Sequence, residues 1–136
     1  MRGAPCIASI LGVILVDTPY VWTIGADRIA TITWSTGAVC TEALARASMV
    51  EFSALTGGAR MPILADIRKW KSMTRDARTF YGNATDMFSA LALLVSSPAT
   101  RMTANFFIGL NRPNVPTQMF NDEAEAVRWL RRYAVA

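Results

Sequence analysis

Short runs of β-branched, aromatic and aliphatic residues alternate along this chain with segments whose apolar residues recur every three or four positions. Residues 20–24 and 30–34 are rich in β-branched and aromatic residues. The segment 25–27 between them reads Gly-Ala-Asp, a composition typical of a turn. This pattern predicts that the fold opens with a β-hairpin.

Three later runs are predicted to be strands. Residues 63–67, apart from Asp66, and residues 91–95 are apolar, as strands are when helices cover both faces of a sheet. Residues 116–120 form the last run, and Pro116 predicts that it lies at an edge, because proline cannot donate to a neighbouring strand.

Helix-start and helix-stop residues separate these strands. Thr41 can cap a helix over 41–55, and Gly57 and Gly58 follow its end. Thr74 can cap a second helix to about residue 81. Ser97, followed by a proline in the first turn, can cap a third helix to about residue 110.

Two of these helices carry apolar stripes, and a fourth helix is predicted at the end. In the first helix the stripe consists of Ala43, Ala47, Val50 and Ala54, with Leu44 and Leu55 beside it. In the third helix it consists of Met102, Thr103, Phe106 and Leu110, extended by Ala99. Asn121 or Asp122 can cap the fourth helix, whose predicted buried face consists of Ala126, Trp129, Leu130 and Tyr133.

The resulting order is ββαβαβαβα, and connections of this length between buried strands favour parallel crossovers. We therefore predict an α/β fold, with an opening hairpin, alternating strands and helices, and a mixed, mostly parallel sheet. We assign residues 18–136 to this domain.

The first 17 residues are a separate question. Residues 6–16 are apolar, but eleven residues are too few to span a bilayer, which needs about 20. Residues 16–19 make a poor signal-cleavage site. We expect residues 1–17 to form an N-terminal extension or an extra edge strand of a cytoplasmic protein.

Composition removes several classes of function. The 136 residues contain no histidine and only two cysteines, Cys6 and Cys40. The usual histidine-dependent catalytic groups and a zinc site are therefore absent, and we predict no catalytic residue, no metal and no cofactor. The net charge of +4 is modest and local, which disfavours nucleic acid as a partner.

The charge is concentrated in residues 68–78, here called the basic loop. This segment contains five cations and one acid, Asp76, so its surplus of +4 equals that of the whole chain. The predicted partner- or anion-binding residues lie here or just before it: Asp66, Arg68, Lys69, Trp70, Lys71, Ser72, Thr74, Arg75 and Arg78.

Several of these residues have a structural alternative. Thr74 is a plain N-cap or a phosphate acceptor beside Arg75 and Arg78. Trp70 tucks beneath the sheet edge or contacts a partner. For Asp66, an ion pair with a neighbouring arginine is favoured over acid–base catalysis, because no second acid or histidine accompanies it.

The third helix is apolar around more than half of its circumference. One interpretation is deep burial against the sheet and a neighbouring helix. The other is that Phe107 and Ile108, which lie off the main stripe, face a second copy, an apolar ligand or a membrane. For that ligand or membrane contact the predicted residues are Met102, Phe106, Phe107 and Ile108.

The order of elements resembles the STAS-type domain, the SpoIIAA-like fold of bacterial anti-sigma-factor antagonists, which is related to Sec14/CRAL-TRIO lipid-binding domains. The resemblance covers roughly residues 20–134. The segments that carry it are PILADI (62–67) with the loop and helix that follow, ALALLVSSP (90–98) and PTQMFNDEAEAVRWL (116–130).

The resemblance implies a non-enzymatic regulatory or protein-binding module. It also implies a protein partner, with a second copy of the chain as one alternative. The Asp-Ser-Ser-Gly-like turn that carries phosphoserine in such antagonists is replaced here by Thr74-Arg75-Asp76-Ala77, so that motif is missing. The alternative, implied by the Sec14-like relatives, is binding of a lipid or apolar small molecule with reversible membrane association.

Overall fold

The computed structural model describes residues 18–134. In chain order the strands are β1 (Tyr20–Ile24), β2 (Ala30–Trp34), β3 (Val39–Cys40), β4 (Met61–Asp66), β5 (Ser72–Met73), β6 (Phe88–Leu94) and β7 (Thr117–Phe120). The α-helices are α1 (Glu42–Thr56), α2 (Arg75–Asn83), α3 (Pro98–Phe106) and α4 (Glu123–Leu130). A π-helical turn, Phe107–Asn111, continues α3. The extra strand expected within residues 1–17 lies outside the described residues.

Within residues 18–134, five strands form the main sheet in the order β1-β2-β4-β6-β7. The first two pair antiparallel, as the predicted hairpin, and all other neighbours pair parallel. The predicted fold class, a mixed and mostly parallel sheet with helices packed on it, is therefore confirmed. The last strand, β7, lies at an edge of the sheet, where Pro116 predicts it.

A second, two-stranded sheet was not predicted. Its strands β3 and β5 pair parallel, with Val39 opposite Ser72 and Cys40 opposite Met73. Two residues per strand are too few to produce a recognisable alternation of polar and apolar positions. This small sheet ties the basic loop to the segment that follows β2.

The main sheet separates two hydrophobic cores, because successive residues of a strand point to opposite faces. On β4, Ile63 and Ala65 face the core under α1, α2 and α3, whereas Leu64 faces the core under α4. The predicted buried face of α4 is confirmed: Ala126 and Leu130 are fully buried, and Trp129 and Tyr133 pack against the same core. In the described part of the chain, no helix combines the length and the apolar character that crossing a bilayer requires.

The first helix has the predicted ends but buries a different face. Thr41 caps α1 by accepting a hydrogen bond from the N–H of Leu44, and Gly57 ends it with φ of 66°, a left-handed conformation that favours glycine. The predicted stripe is wrong as a buried face, because Val50 is 71% exposed and its alanine neighbours are exposed as well. The buried residues are Ala45, Ser48, Met49 and Phe52.

The buried face of α1 includes a polar residue, Ser48, whose hydroxyl is hydrogen-bonded. The hydroxyl of Ser48 is buried, donates to the carbonyl oxygen of Ala45 at 2.7 Å and lies 2.6 Å from the hydroxyl of Tyr81. The indole N–H of Trp22 also donates to the carbonyl oxygen of Ser48 at 3.0 Å. Because these bonds satisfy its polar atoms, a serine can occupy the sheet-facing side of the helix at little cost.

This rotation can be tested on two neighbouring residues. We expect Met49→Ala to lower the free energy of unfolding by about 2–5 kcal/mol, because it removes a buried side chain and leaves a cavity. The matched change Val50→Ala should alter it by less than about 0.5 kcal/mol, because that side chain is exposed. Urea unfolding measures both, and equal losses at the two positions would contradict the observed face.

Candidate functional site

The basic loop follows β4 and is held against the segment after β2 by main-chain hydrogen bonds. The N–H of Gly37 donates to the carbonyl oxygen of Lys69, and the N–H of Lys71 donates to that of Ala38, each at 2.8 Å. Farther along, the N–H of Thr74 donates to the carbonyl oxygen of Cys40 at 2.9 Å. The loop is therefore part of the folded framework, and its side chains project from a defined backbone.

Asp66 and Arg68 form a two-pronged ion pair at the start of this loop. Arg68 donates from Nε to Oδ1 of Asp66 at 2.9 Å and from Nη2 to Oδ2 at 2.8 Å. Burial alone would raise the pKa of Asp66, but the hydrogen bonds and positive charge of Arg68 outweigh it, so this pKa is lowered. Asp66 therefore serves as a structural anion, which leaves it poorly suited to proton transfer.

Trp70 lies partly buried against the sheet. Its ring meets that of Trp34 edge-on, with 5.4 Å between centroids and 74° between planes. Its indole Nε1 is buried and has no acceptor among residues 18–134. Of the two predicted alternatives, the ring takes the tucked position.

Thr74 occupies the N-cap of α2. Its Oγ1 accepts a hydrogen bond from the N–H of Ala77 at 3.2 Å, so the hydroxyl already has a structural role. Arg75 is exposed, whereas Arg78 is half-buried, and its Nε has no acceptor within the described part of the chain. Thr74 as a phosphate acceptor remains a prediction.

Most cations of this region are free of carboxylate partners. Within residues 18–134, ion pairs involve only Arg46 and Arg68 among the cations. Lys69, Lys71 and Arg75 are exposed and have no carboxylate partner within these residues. Ser72 is exposed as well, in β5.

The third helix turns a different face to solvent from the one expected. Met102, Phe106 and Leu110, here called the α3 stripe, are 58%, 49% and 67% exposed. Phe107, for which an exposed role was considered, is only 4% exposed, and Ile108 is half-buried. Met102 and Phe106 are thus accessible for the predicted ligand or membrane contact, whereas Phe107 joins the core.

The capping of α3 explains this rotation. The hydroxyl of Thr100 accepts from the N–H groups of Ser96 and Ser97 at 3.1 and 3.0 Å, which turns Thr100 inward. Ala104 and Phe107, four and seven positions later, follow on the same inward face and are buried. The α3 stripe lies on the opposite side of the helix. Met102 and Phe106 each come two positions, or about half a turn, after the inward-facing Thr100 and Ala104.

The α3 stripe and the basic loop lie on neighbouring elements. α3 contacts β5, and the hydroxyl of Ser96, just before α3, donates to the carbonyl oxygen of Arg68 at 3.2 Å. The segment 87–121, which includes α3, contains Arg101 and Arg112 and no acidic residue. Three large exposed apolar side chains are thus combined with a local excess of positive charge.

The described residues provide neither a metal-binding cluster nor a reactive thiol. No group of three or more His, Cys, Asp or Glu side chains in residues 18–134 is arranged to hold a metal ion. Burial raises the pKa of the Cys40 thiol to about 12, so it carries no thiolate at neutral pH.

The pair of Asp66 and Arg68 predicts a pH dependence of stability. Because the folded-state pKa of Asp66 lies below its ordinary value of 3.8, the pair stabilises the protein above that pH. Its contribution disappears as the pH falls through the folded-state value. We expect Asp66→Asn to lower the free energy of unfolding by about 1 kcal/mol at pH 7, with the difference from the unmodified protein shrinking below pH 3.8.

Urea unfolding at a series of pH values measures this effect. Asp86→Asn is the control, because Asp86 is exposed and forms no ion pair within residues 18–134. A deficit of Asp66→Asn that stays constant down to pH 2 would contradict the role assigned to the pair.

The cap at Thr74 generates a separate prediction. Thr74→Ala should lower the free energy of unfolding by about 1 kcal/mol, because the N–H of Ala77 loses its acceptor, whereas Thr74→Ser should keep most of it. Thermal and urea unfolding of both variants measure this. Equal stability of the alanine and serine variants would exclude a capping role.

Comparison with solved structures identifies the fold of this chain. The anti-sigma factor antagonist SpoIIAA in its unphosphorylated form is 16% identical over 82% of this chain and 97% of that chain, with a TM-score of 0.58. An uncharacterised protein of the DUF3478 family from Shewanella loihica PV-4, with a SpoIIAA-like fold, is 18% identical over 86% and 99%, with a TM-score of 0.55. The chain therefore has a SpoIIAA-like fold, as the resemblance implied.

The sequence comparisons determine the family. A protein of unknown function from Arthrobacter sp. FB24 is 34% identical over 88% of this chain and 97% of that chain; its TM-score of 0.34 supports no conclusion about the fold. No curated protein sequence is significantly similar to this one. The family described as a domain of unknown function, DUF7793, matches residues 22–134, and the chain belongs to that family.

Proposed function

We propose that this protein is a non-enzymatic regulatory module that binds a protein partner through the α3 stripe and the adjacent basic loop. The observation that carries the proposal is the exposure of Met102, Phe106 and Leu110 beside cations that have no carboxylate partner in residues 18–134. A stripe of large apolar side chains costs free energy in water unless something covers it.

The likeness in fold supports a protein as the occupant. Two solved structures with a SpoIIAA-like fold resemble this one. The one with the higher TM-score belongs to a protein named as an anti-sigma factor antagonist. Fold alone does not transfer a function, so the exposed surface carries the proposal, and the likeness in fold favours a protein as its partner.

Charge determines the expected chemistry of the partner. Lys69, Lys71 and Arg75 belong to the basic loop, whose strand β5 contacts α3, and Arg101 and Arg112 belong to the segment that carries the α3 stripe. A partner that presents apolar side chains flanked by Asp and Glu would complement both features. Its binding would weaken as the salt concentration rises, because exposed charges are screened.

The second candidate is reversible association with an anionic membrane. The same surface favours it, since apolar side chains on one helical face accompanied by basic residues are also the composition of interfacial helices. In this version Met102, Phe106 and Leu110 would enter the headgroup region and the basic loop would contact lipid phosphates.

Site-specific photo-crosslinking in the source cell separates these candidates. A benzophenone side chain placed at position 106 should form an adduct with one protein, because Phe106 lies in the middle of the α3 stripe. The same group at position 50 is the matched control, since Val50 is apolar and exposed on a different helix. Adducts with lipid alone would favour the membrane candidate, and identical products at both positions would contradict a specific surface.

The captured protein, once purified, allows a quantitative test by calorimetry. Phe106→Ser should weaken its binding at least about tenfold, as expected for a large apolar residue at the centre of an interface, whereas Val50→Ser should leave it unchanged. Replacing Lys71 and Arg75 with Glu should weaken binding and reduce its salt dependence. Full affinity of the Phe106→Ser variant would exclude the α3 stripe as the binding surface.

A further inference from the structure

A cavity of about 50 Å³ lies between the main sheet and the helices α1, α2 and α3. One water molecule needs about 10–15 Å³ by the same measure, so the cavity has room for several atoms. Its wall is almost entirely apolar; residues from the sheet and from α1 and α3 that form it include Trp34, Met49, Phe88, Leu91, Ala104 and Phe107. An apolar cavity of this size is a poor place for water, because water needs polar partners.

Five side chains that line the cavity carry an N–H or O–H group: Trp22, Trp34, Trp70, Tyr81 and Thr103. The indole N–H of Trp22 donates to the carbonyl oxygen of Ser48 at 3.0 Å, the hydroxyl of Tyr81 lies 2.6 Å from that of Ser48, and the hydroxyl of Thr103 donates to the carbonyl oxygen of Ala99 at 3.1 Å. The buried Nε1 of Trp70, in contrast, has no acceptor among the described residues. The wall therefore includes a residue with an unused hydrogen-bond donor.

Access to the cavity is indicated by the burial of its lining. Most lining residues are buried, whereas Trp70, Met73, Tyr81 and Thr103 are only half-buried. Trp70 and Met73 belong to the basic loop, and Thr103 belongs to α3, which contacts β5. Three of the four half-buried residues thus lie where α3 meets the basic loop, which is the side on which the cavity comes nearest to solvent.

We propose that this cavity binds a small apolar molecule that carries one hydrogen-bond acceptor, such as a short ketone, ether or alcohol, with Trp70 Nε1 as the donor. The apolar wall favours the hydrocarbon part, and the acceptor satisfies the indole N–H, which is otherwise buried at a cost. The volume is far too small for a lipid chain. This site lies inside the fold, is separate from the α3 stripe, and does not depend on the proposed docking function.

The test uses dimethyl ether and propane, two small probes of the same shape that differ in an ether oxygen in place of a CH₂ group. In the full chain labelled with ¹⁵N-tryptophan, titration with dimethyl ether should shift the indole N–H signal of Trp70 downfield in a saturable manner. Trp129 is an internal control, because it packs on the opposite face of the sheet. Propane should bind about fivefold more weakly, which is the difference expected for one hydrogen bond.

Three variants make the result specific. Trp70→Phe keeps an aromatic ring but removes the donor, so the indole signals of Trp22 and Trp34, which also line the cavity, should then report equal affinity for the two probes. Ala104→Val narrows the cavity and should weaken the binding of both probes. Phe106→Ser should bind dimethyl ether like the unmodified chain, which distinguishes failure of this site from failure of the docking surface.

Three results would overturn the proposal. The first is the absence of any saturable shift of the Trp70 signal with either probe. The second is equal affinity of the two probes for the unmodified chain, which would mean that the indole N–H makes no bond to the ligand. The third is a shift of the Trp129 signal as large as that of Trp70, which would indicate non-specific contact with the protein surface.

Discussion

The parallel pairing of the central strands determines where every candidate functional residue lies. Parallel strands bring their carboxyl ends to one edge of a sheet, and here Thr33, Asp66, Leu94 and Phe120 occupy matching positions in adjacent strands. The segments that follow these strands must therefore meet. The basic loop, the start of α3 and the start of α4 come together for this reason, although they are far apart in the sequence.

The contacts at this edge are polar and cross between segments. Arg68 pairs with Asp66 and approaches Glu123 of α4 to 3.9 Å, and its carbonyl oxygen accepts from Ser96 before α3. These interactions satisfy the charge of Asp66 and leave the next cations, such as Lys69, without a carboxylate in residues 18–134. Within the described residues, the edge is thus stabilised by the ion pairs of Arg68 and presents its other cations to solvent.

Helix orientation depended on groups that hydropathy does not describe. In α1 and α3 the sheet-facing positions include Ser48 and Thr100, whose hydroxyls form several hydrogen bonds and so tolerate burial. Small residues such as Ala45 and Ala104 allow close approach to the sheet. Larger apolar residues on these helices, among them Val50 and Phe106, remain outside, so the apolar periodicity of the sequence indicated the wrong face.

The sequence by itself determined the order of the main-sheet strands and the α-helices along the chain, the opening hairpin, the parallel pairing, the caps at Thr41, Thr74 and Ser97, and the buried face of α4. These features follow from local patterns of a few residues, which short-range sterics and hydrogen bonding dictate. Only the tertiary structure decided which face of α1 and α3 is buried, that β3 pairs with β5, and that Trp70 lies beside an internal cavity. These outcomes depend on how residues distant in the chain pack and satisfy one another, and that information is not contained in any short segment.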